Sequence, residues 1–492
     1  MKKHLSNFIN NKSNLPLLVG IASGLYPMLY YFNANYTQAN SVSQLLFFSF
    51  FFIVVPVLIF SIFNYFSNKI KLLEANKFKL FVLLDIGFFG SFILISTFRF
   101  QLIYIIPLII VALCCALFFS KYLKKIVVFQ FLLVVMALVS LIPTVFKHVT
   151  YSKQWLEQPD AITKVIFKTT PNVYFIQVDG YANVDKLSKG PYGYDNSSFN
   201  SYLQEAGFKY YSDYRSNYYS TLSSNSSLLA MKHHYYSSPY HSFAELSHAR
   251  ENIVSKNPVL QIFKNNMYKT HLLMDKYYFL LNRPTLGFDY SNIKYKDVPF
   301  RYKGLGPVRD VISDLKTVLP KDTLTSNFYF IQKLLPSHVT NSSSASVNKI
   351  TEKENYLNKL QQANLWLQEI ITLIDSQDKN ALIIITADHG GFVGFNTTLE
   401  ARIKQSDPEL IYSIYTAMLA IKWNGMPSDF DTKFKTPVNF FRILFSYLSK
   451  NESYLNQLED DSSYIMINQG APFGVYKYIN SQGETVFEPI SK

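Results

Sequence analysis

The chain is nearly without cysteine: its 492 residues include two, Cys114 and Cys115, adjacent to each other inside an apolar run. That excludes a disulfide scaffold and any cysteine-ligated metal centre in the polar part of the chain. Charge is sparse as well, at 16% Asp, Glu, Lys and Arg. Acids are scarcest in the first 149 residues, where only Glu74 and Asp85 stand against twelve Lys and Arg. Twelve minus two gives this stretch +10 of the formal net charge of +13. The basicity therefore belongs to the hydrophobic part, which removes the main argument for nucleic acid as a partner. Aromatics, by contrast, make up 16%, which excludes intrinsic disorder. The mean hydropathy of +0.06 is high for a soluble enzyme.

The hydrophobic excess is concentrated in five apolar runs, near 15–32, 44–66, 78–98, 102–120 and 127–146. Each approaches the ~20 residues needed to cross a bilayer. A cleaved signal peptide explains none of them, because they are long and repeated. The spacing predicts a membrane domain of five transmembrane helices over 1–147. Lysines set its orientation. Lys2, Lys3 and Lys12 precede the first run, Lys69, Lys71, Lys77 and Lys79 follow the second, and Lys121, Lys124 and Lys125 follow the fourth. The loop 33–43 has no Lys or Arg, and the short loop near Arg99 has one. An odd number of spans with a cytoplasmic N-terminus places everything after Thr150 beyond the membrane. Asp85 falls within the third run, where an acid is costly and is a functional candidate by default. The plainer reading is a carboxyl near a helix end, paired with Lys77 or Lys79. Cys114 and Cys115 read as packing residues.

Residues 148–170 are mixed and polar and read as a linker. Beyond it, the runs 172–178, 327–331, 381–387 and 415–422 are short and apolar without polar alternation, which suits strands buried on both faces. Helical periodicity lies between them, most clearly over 351–374, where Leu357, Leu360, Leu365, Leu367, Ile370, Ile371 and Ile374 recur at steps of three to four. This alternation predicts an α/β domain over 171–492 built on a mostly parallel, doubly wound sheet. The stretch 341–347 reads as an exposed loop, and 214–240 is crowded with Tyr and Ser without a clear period.

Two predicted strands run into acids: Asp179-Gly180 after the first, Asp388-His389-Gly390-Gly391 after the third. Ligands of open α/β sheets bind beyond the carboxyl ends of the strands. Two carboxylates and one imidazole suit a divalent ion such as Zn²⁺ or Mn²⁺; a turn or a helix cap is the plainer alternative for a strand-end Asp-Gly. Residues 216–231 place a cluster of hydroxyls just before a helix-like segment. A hydroxyl at a helix N-terminus meets free N–H groups and the positive end of the dipole, which suits a nucleophile toward phosphorus or sulfur; a Ser-rich cap or loop is the alternative. His338, after the strand at 327–331, is placed to bind the transferred group or protonate a leaving oxygen, and a surface histidine is the alternative. His233 and His234 read as exposed.

With these residues in view, the chain resembles the alkaline-phosphatase superfamily in its sulfatase-like branch. Within it, the likeness is to lipoteichoic acid synthases and lipid A phosphoethanolamine transferases, which also join five N-terminal spans to an extracytoplasmic catalytic domain. VYFIQVDGYAN resembles the opening strand whose acid ligates the metal, here Asp179. NYYSTLSSNSSLLAM resembles the nucleophile segment and puts the nucleophile, also a metal ligand, on Thr221, flanked by Ser220, Ser223 and Ser224. IIITADHGG matches most specifically and implies metal ligands at Asp388 and His389. LLPSHVT is similar to the segment around a substrate-binding histidine, with the family's Pro-His step reading Pro336-Ser337-His338 here. TPVNFFRILFSYL resembles a closing helix, with Asn439 and Arg442 matching. No Cys/Ser-x-Pro-x-Arg formylglycine motif is present, so sulfatase chemistry of that kind is not expected.

The resemblance implies one divalent metal ion, Zn or Mn, and a covalent threonine intermediate. It implies transfer of a phosphoethanolamine or phosphoglycerol type group from a membrane phospholipid donor to an envelope glycan or lipid acceptor, with no nucleic acid involved. The expected location is a bacterial cytoplasmic (inner) membrane, the catalytic domain being periplasmic or extracellular. Two alternatives remain at this stage: a sulfatase-like hydrolase releasing the group to water, and an inactive scaffold for envelope assembly.

Overall fold

The computed structural model describes residues 15–98, 102–235, 246–301, 304–320, 325–341 and 348–490. Lys2, Lys3, Lys12, Arg99 and nearly all of the 341–347 loop lie outside the described residues. The chain divides into two compact units, Met1–Tyr151 with Leu281–Arg283 and Phe300–Tyr302, and Ser152–Leu280 with Pro284–Pro299 and Lys303–Lys492.

In the first unit, four helical stretches are long and apolar enough to cross a membrane: Pro16–Gln38, Val42–Ser67, Lys77–Thr97 and Ile103–Leu156. Their α-helical parts are α1 (Pro16–Asn35), α2 (Val42–Ser67, with a π turn at Phe50–Val54) and α3 (Lys77–Thr97), followed by α4 (Leu102–Phe119) and α5 (Leu123–Val149). A 3₁₀ turn at Ser120–Tyr122 separates α4 from α5, because Phe119 and Tyr122 leave helical dihedrals. The five apolar runs of the sequence thus all form helix. Gly20 and Gly24 let α1 meet α2 backbone to backbone: a Cβ at Gly24 would stand 1.5 Å from the Phe52 carbonyl oxygen, and one at Gly20 2.7 Å from Val57 Cα. Small residues four apart commonly permit such close approach. Asp85 is fully buried, and its partner is neither lysine: Gln130 Nε2 of α5 donates to Asp85 Oδ1 at 3.0 Å, while Lys77 Nζ donates to Asn68 Oδ1 at 2.7 Å. An amide satisfies a buried oxygen without the cost of burying a second charge.

The second unit is an α/β domain. Its main sheet contains β1 (Val173–Val178), β2 (Lys209–Tyr210), β3 (Lys269–Met274), β4 (Tyr290–Ser291), β5 (Asn327–Lys333), β6 (Leu382–Ala387) and β7 (Leu419–Lys422). Their order is β2-β7-β6-β1-β5-β3-β4. The pairs β1–β5, β1–β6, β3–β5 and β3–β4 are parallel; β7 runs antiparallel to β6, and β2 to β7. Every residue of β1, β5 and β6 is buried, as helices on both faces of a parallel sheet require. The predicted helix at 351–374 is observed as α7, Lys349–Gln377, after α6, Thr221–Ala230; α8 is Pro437–Ser449. Asn348 caps α7 by accepting from the N–H groups of Ile350 and Thr351. A second sheet, β8 (Ser463–Ile467), β9 (Gly474–Ile479) and β10 (Thr485–Pro489), is an antiparallel meander.

The stretch 152–170, expected as a linker, packs into this unit. Ile162, Val165 and Phe167 are buried, and Lys168 N–H donates to Leu448 O at 2.8 Å. Arg442 of α8 serves this packing, pairing with Asp160 at 2.7 Å and donating to Gln158 Oε1 at 2.8 Å, while Asn439 Nδ2 holds the segment before β8 by donating to Glu459 O and Asp461 Oδ1.

Candidate metal centre and nucleophile

Asp179 follows β1 and Asp388 follows β6. These strands are neighbours with Val178 opposite Ala387, so the two acids emerge side by side at the carboxyl edge of the sheet. Asp388 Oδ1 is fixed by the N–H groups of Gly180 and His389, each at 3.1 Å. Its Oδ2 is buried without a hydrogen-bond partner. His389 bonds to Gly390 O through Nδ1 at 2.9 Å; a carbonyl only accepts, so Nδ1 carries the proton and Nε2 keeps a lone pair in the neutral ring. That Nε2 lies 3.4 Å from Asp179 Oδ1 and 3.5 Å from Asp388 Oδ2.

Thr221 completes the group. It is the first residue of α6, preceded by the extended Ser220. Its Oγ1 lies 3.3 Å from Asp179 Oδ1 and 3.3 Å from His389 Nε2. The helix begins about two turns before the apolar LLAM segment, and all ten of its residues are buried. Behind it, Asn225 Nδ2 donates to Thr221 O at 2.9 Å and Gln177 Nε2 of β1 donates to Asn225 Oδ1 at 2.8 Å, which ties the first turn to the sheet.

Four acceptor atoms facing one another in a buried site suit a cation. Tetrahedral ligands at ~2.0–2.1 Å from an ion sit about 3.3–3.4 Å apart, close to the spacings observed. Asp388 Oδ2, one of the four, is buried without a hydrogen-bond partner among the described residues. Burial pushes the Asp388 carboxyl up, with Asp179 adding to the shift and His389 opposing it. For His389, burial pulls the imidazole down, but Asp388 and Asp179 outweigh it and the net shift is upward. Both shifts express the same need for positive charge between the carboxylates.

His338 is held close by. Ser337, at φ +68°, donates its N–H to Asp179 O at 2.8 Å, and Gly180, at φ +69°, packs so tightly that a Cβ would stand 2.3 Å from Ser337 O. The His338 ring centroid is 5.7 Å from that of His389. Its Nδ1 bonds to Val339 O at 2.6 Å, which leaves Nε2 as the acceptor nitrogen. Burial lowers its pKa, against an opposing pull from Asp179. Thr221, His338 and His389 line a cavity of about 330 Å³ together with Tyr278, Phe392 and Arg402. Arg402 was not singled out in the sequence. It ends a 3₁₀ turn (Thr398–Arg402) clipped to the chain just after β8 through the Ile403–Gln469 bridge, and its guanidinium lies 5.8 Å from the Tyr219 ring centroid.

His233 and His234 are buried, not exposed. Tyr218 OH bonds to His233 Nδ1 at 2.9 Å and accepts from the N–H groups of His234 and Tyr235; His234 Nε2 donates to Ser223 O at 2.9 Å and its ring stacks on Tyr218 at 4.1 Å. The pair therefore braces the Thr221 helix from behind. Burial lowers both imidazoles, His234 to about 3.

The fold and this site define the class: an α/β domain with a four-residue candidate cation site built around a threonine hydroxyl, preceded by helices apolar enough to cross a membrane. No family model and no curated protein matches the sequence. Solved structures similar to the chain include the C-terminal periplasmic domain of EcEptC from Escherichia coli (13% identity, 65% of this chain and 97% of that one, TM-score 0.41). Also similar are the integral membrane protein lipooligosaccharide phosphoethanolamine transferase A (EptA) from Neisseria meningitidis (11%, 89% and 96%, 0.40) and the C-terminal periplasmic domain of phosphoethanolamine transferase EptC from Campylobacter jejuni (14%, 57% and 89%, 0.37).

Proposed function

We propose that the chain is a metal-dependent transferase that moves a phospho-substituent, of the phosphoethanolamine or phosphoglycerol type, from a membrane phospholipid to an envelope glycan or lipid through a covalent intermediate on Thr221. The observation that carries this reading is the Thr221 hydroxyl, 3.3 Å from both Asp179 Oδ1 and His389 Nε2 at the first turn of a buried helix. A divalent ion, Zn or Mn, held by Asp179, Thr221, Asp388 and His389 would neutralise charge on the attacked group and make the hydroxyl more acidic.

Thr221 Oγ1 attacks phosphorus in line, its bond to phosphorus forms, and the bond from phosphorus to the lipid alcohol breaks. Its proton has an acceptor in place, since Thr221 Oγ1 already donates toward Asp179 Oδ1. The departing lipid alcohol leaves with the proton that Asp179 took from Thr221, while His338, with Nδ1 committed to Val339 O, offers its Nε2 lone pair to take a proton from the entering alcohol and return it to Thr221 Oγ1. An acceptor hydroxyl then takes the group and frees Thr221. One phosphodiester replaces another, so no nucleoside triphosphate is needed beyond the membrane. The five apolar helices α1 to α5, read as five spans, and the lysines at Lys69–Lys79 and Lys121–Lys125 support a second unit outside the cytoplasm; on this reading the membrane is a bacterial inner membrane.

The test is the full-length chain in detergent micelles with Zn²⁺ or Mn²⁺ and head-group-labelled phosphatidylethanolamine or phosphatidylglycerol, followed by intact mass. A labelled adduct lost in Thr221→Ala supports the covalent step, and its chase to a glycan or lipid hydroxyl supports transfer. Label released only to water makes the chain a hydrolase. Absence of both adduct and turnover overturns the reading.

A further inference from the structure

A second cavity of about 250 Å³ lies in the same unit, away from the nucleophile. Lys186, Arg215 and Lys435 line it, against one carboxylate, Asp213; Tyr412 and Gln482 also contribute. Thr416, on its wall, precedes β7, and Asn183 follows β1. Because β7 runs antiparallel to β6, the start of β7 lies at the sheet edge from which Asp179 and Asp388 emerge. The cavity is therefore on the reactive edge, displaced toward β7 and β2.

Its lining carries three cations against one acid, and Asp461, Asp213 and Asp460 act on Arg215 electrostatically without reaching ion-pair distance. Arg215 Nη2 donates to two carbonyls, Asp461 O at 2.7 Å and Asn480 O at 2.8 Å, and its Nε is buried without a hydrogen-bond partner. Lys186 Nζ lies 4.3 Å from the Tyr412 ring centroid. Among the described residues, none of the three cations has a carboxylate within ion-pair distance. Cations gathered in a concave site and left without carboxylate partners are the chemistry that recognises phosphate or carboxylate groups.

The backbone joins this cavity to the reaction centre. Arg215 N–H donates to Lys435 O at 2.9 Å, and the next residue, Ser216, donates from Oγ to Asp388 O at 2.6 Å. From Arg215 the chain reaches Thr221 in six residues, at most about 20 Å.

We infer that the Lys186–Arg215–Lys435 cavity is a binding site for the anionic group, phosphate or carboxylate, of a sugar unit, set beside the reaction centre to hold a charged glycan acceptor. Its role as an acceptor subsite rests on the transferase reading; the anion binding does not. A glycan anchored there would present a hydroxyl from a neighbouring unit toward Thr221.

The experiment is calorimetric titration of the full-length Thr221→Ala chain in detergent micelles with EDTA, using glucose 6-phosphate, glucuronate and glucose as probes. Binding of either anionic sugar, with glucose silent and affinity falling at least tenfold in Lys186→Met/Lys435→Met, supports the site. Binding by glucose 6-phosphate alone points to a phosphorylated polymer; binding by glucuronate alone points to uronic acids. If neither anionic sugar binds, or the double variant binds as tightly as its parent at an unchanged melting temperature, the inference is overturned. The readout needs no turnover, so it stands or falls apart from the covalent step.

Discussion

Thr221 Oγ1 approaches His389 on Nε2, the ring nitrogen left with a lone pair because Nδ1 is bonded to Gly390 O. A helix that starts at the threonine and a strand that ends two residues before the histidine meet at one point. The tautomer, the rotamer and the helix start are fixed by separate contacts, so the site is preorganised by the fold.

Removing the hydroxyl tests the nucleophile. Thr221→Ala should lower turnover by about 10³-fold or more, the scale on which loss of a nucleophile acts, while Thr221→Ser retains measurable activity. Melting temperature of the variants checks that the loss is chemical. Equal activity of Thr221→Ala and the parent chain would dismiss the assignment.

Asp388→Asn should weaken binding of the divalent ion, since it removes a buried anion whose Oδ2 has no hydrogen-bond partner in the protein. Chelation should lower the melting temperature of the parent chain, restored free metal should raise it again with the logarithm of its concentration, as mass action requires, and both should shift Asp388→Asn far less. A melting temperature indifferent to Zn²⁺ and Mn²⁺ would count against a cation site.

Gly180→Ala combines a left-handed φ with a collision at the Ser337 carbonyl. The expected cost is about 1–3 kcal/mol of stability, together with lower turnover because the displaced loop carries His338. Thermal unfolding beside kinetics on the same preparation would separate the two effects.

The sign of the acid response follows from His234. Its folded pKa, about 3, lies below the unfolded value near 6.5. Between those values the unfolded chain binds more protons, so stability rises with pH and is lost as pH falls from about 6.5 toward 3. At pH 5 the loss from this one group is of order 2 kcal/mol. His234→Gln should flatten the melting temperature between pH 7 and pH 5 relative to the parent chain. An unchanged slope would mean that other groups govern acid unfolding.

The sequence made some of this legible and hid the rest for physical reasons. β1, β5 and β6 could be read because strands buried on both faces need continuous apolar runs. β2 and β4 are two-residue edge pieces, and β3 opens with Lys269-Thr270-His271, so neither length nor hydropathy marks them. β7 was expected over 415–422, yet it begins at Leu419, after a helix over Pro408–Tyr415, and runs antiparallel; direction leaves no trace in composition. Asp179, Asp388 and His389 could each be named from strand-end patterns, but their meeting depends on β1 lying next to β6, a tertiary fact. The same holds for Asp85, whose amide partner is 45 residues away, and for His233 and His234, whose burial comes from contacts with Tyr218 and the backbone around it.

The Gly20 and Gly24 contacts bear on how the protein would meet membranes of different thickness. With no space for even a methyl group at the Phe52 carbonyl, α1 and α2 cannot slide past each other without losing their fit. A thinner or thicker bilayer would be accommodated by leaning both helices together, so the first two helices would behave as a single stiff post.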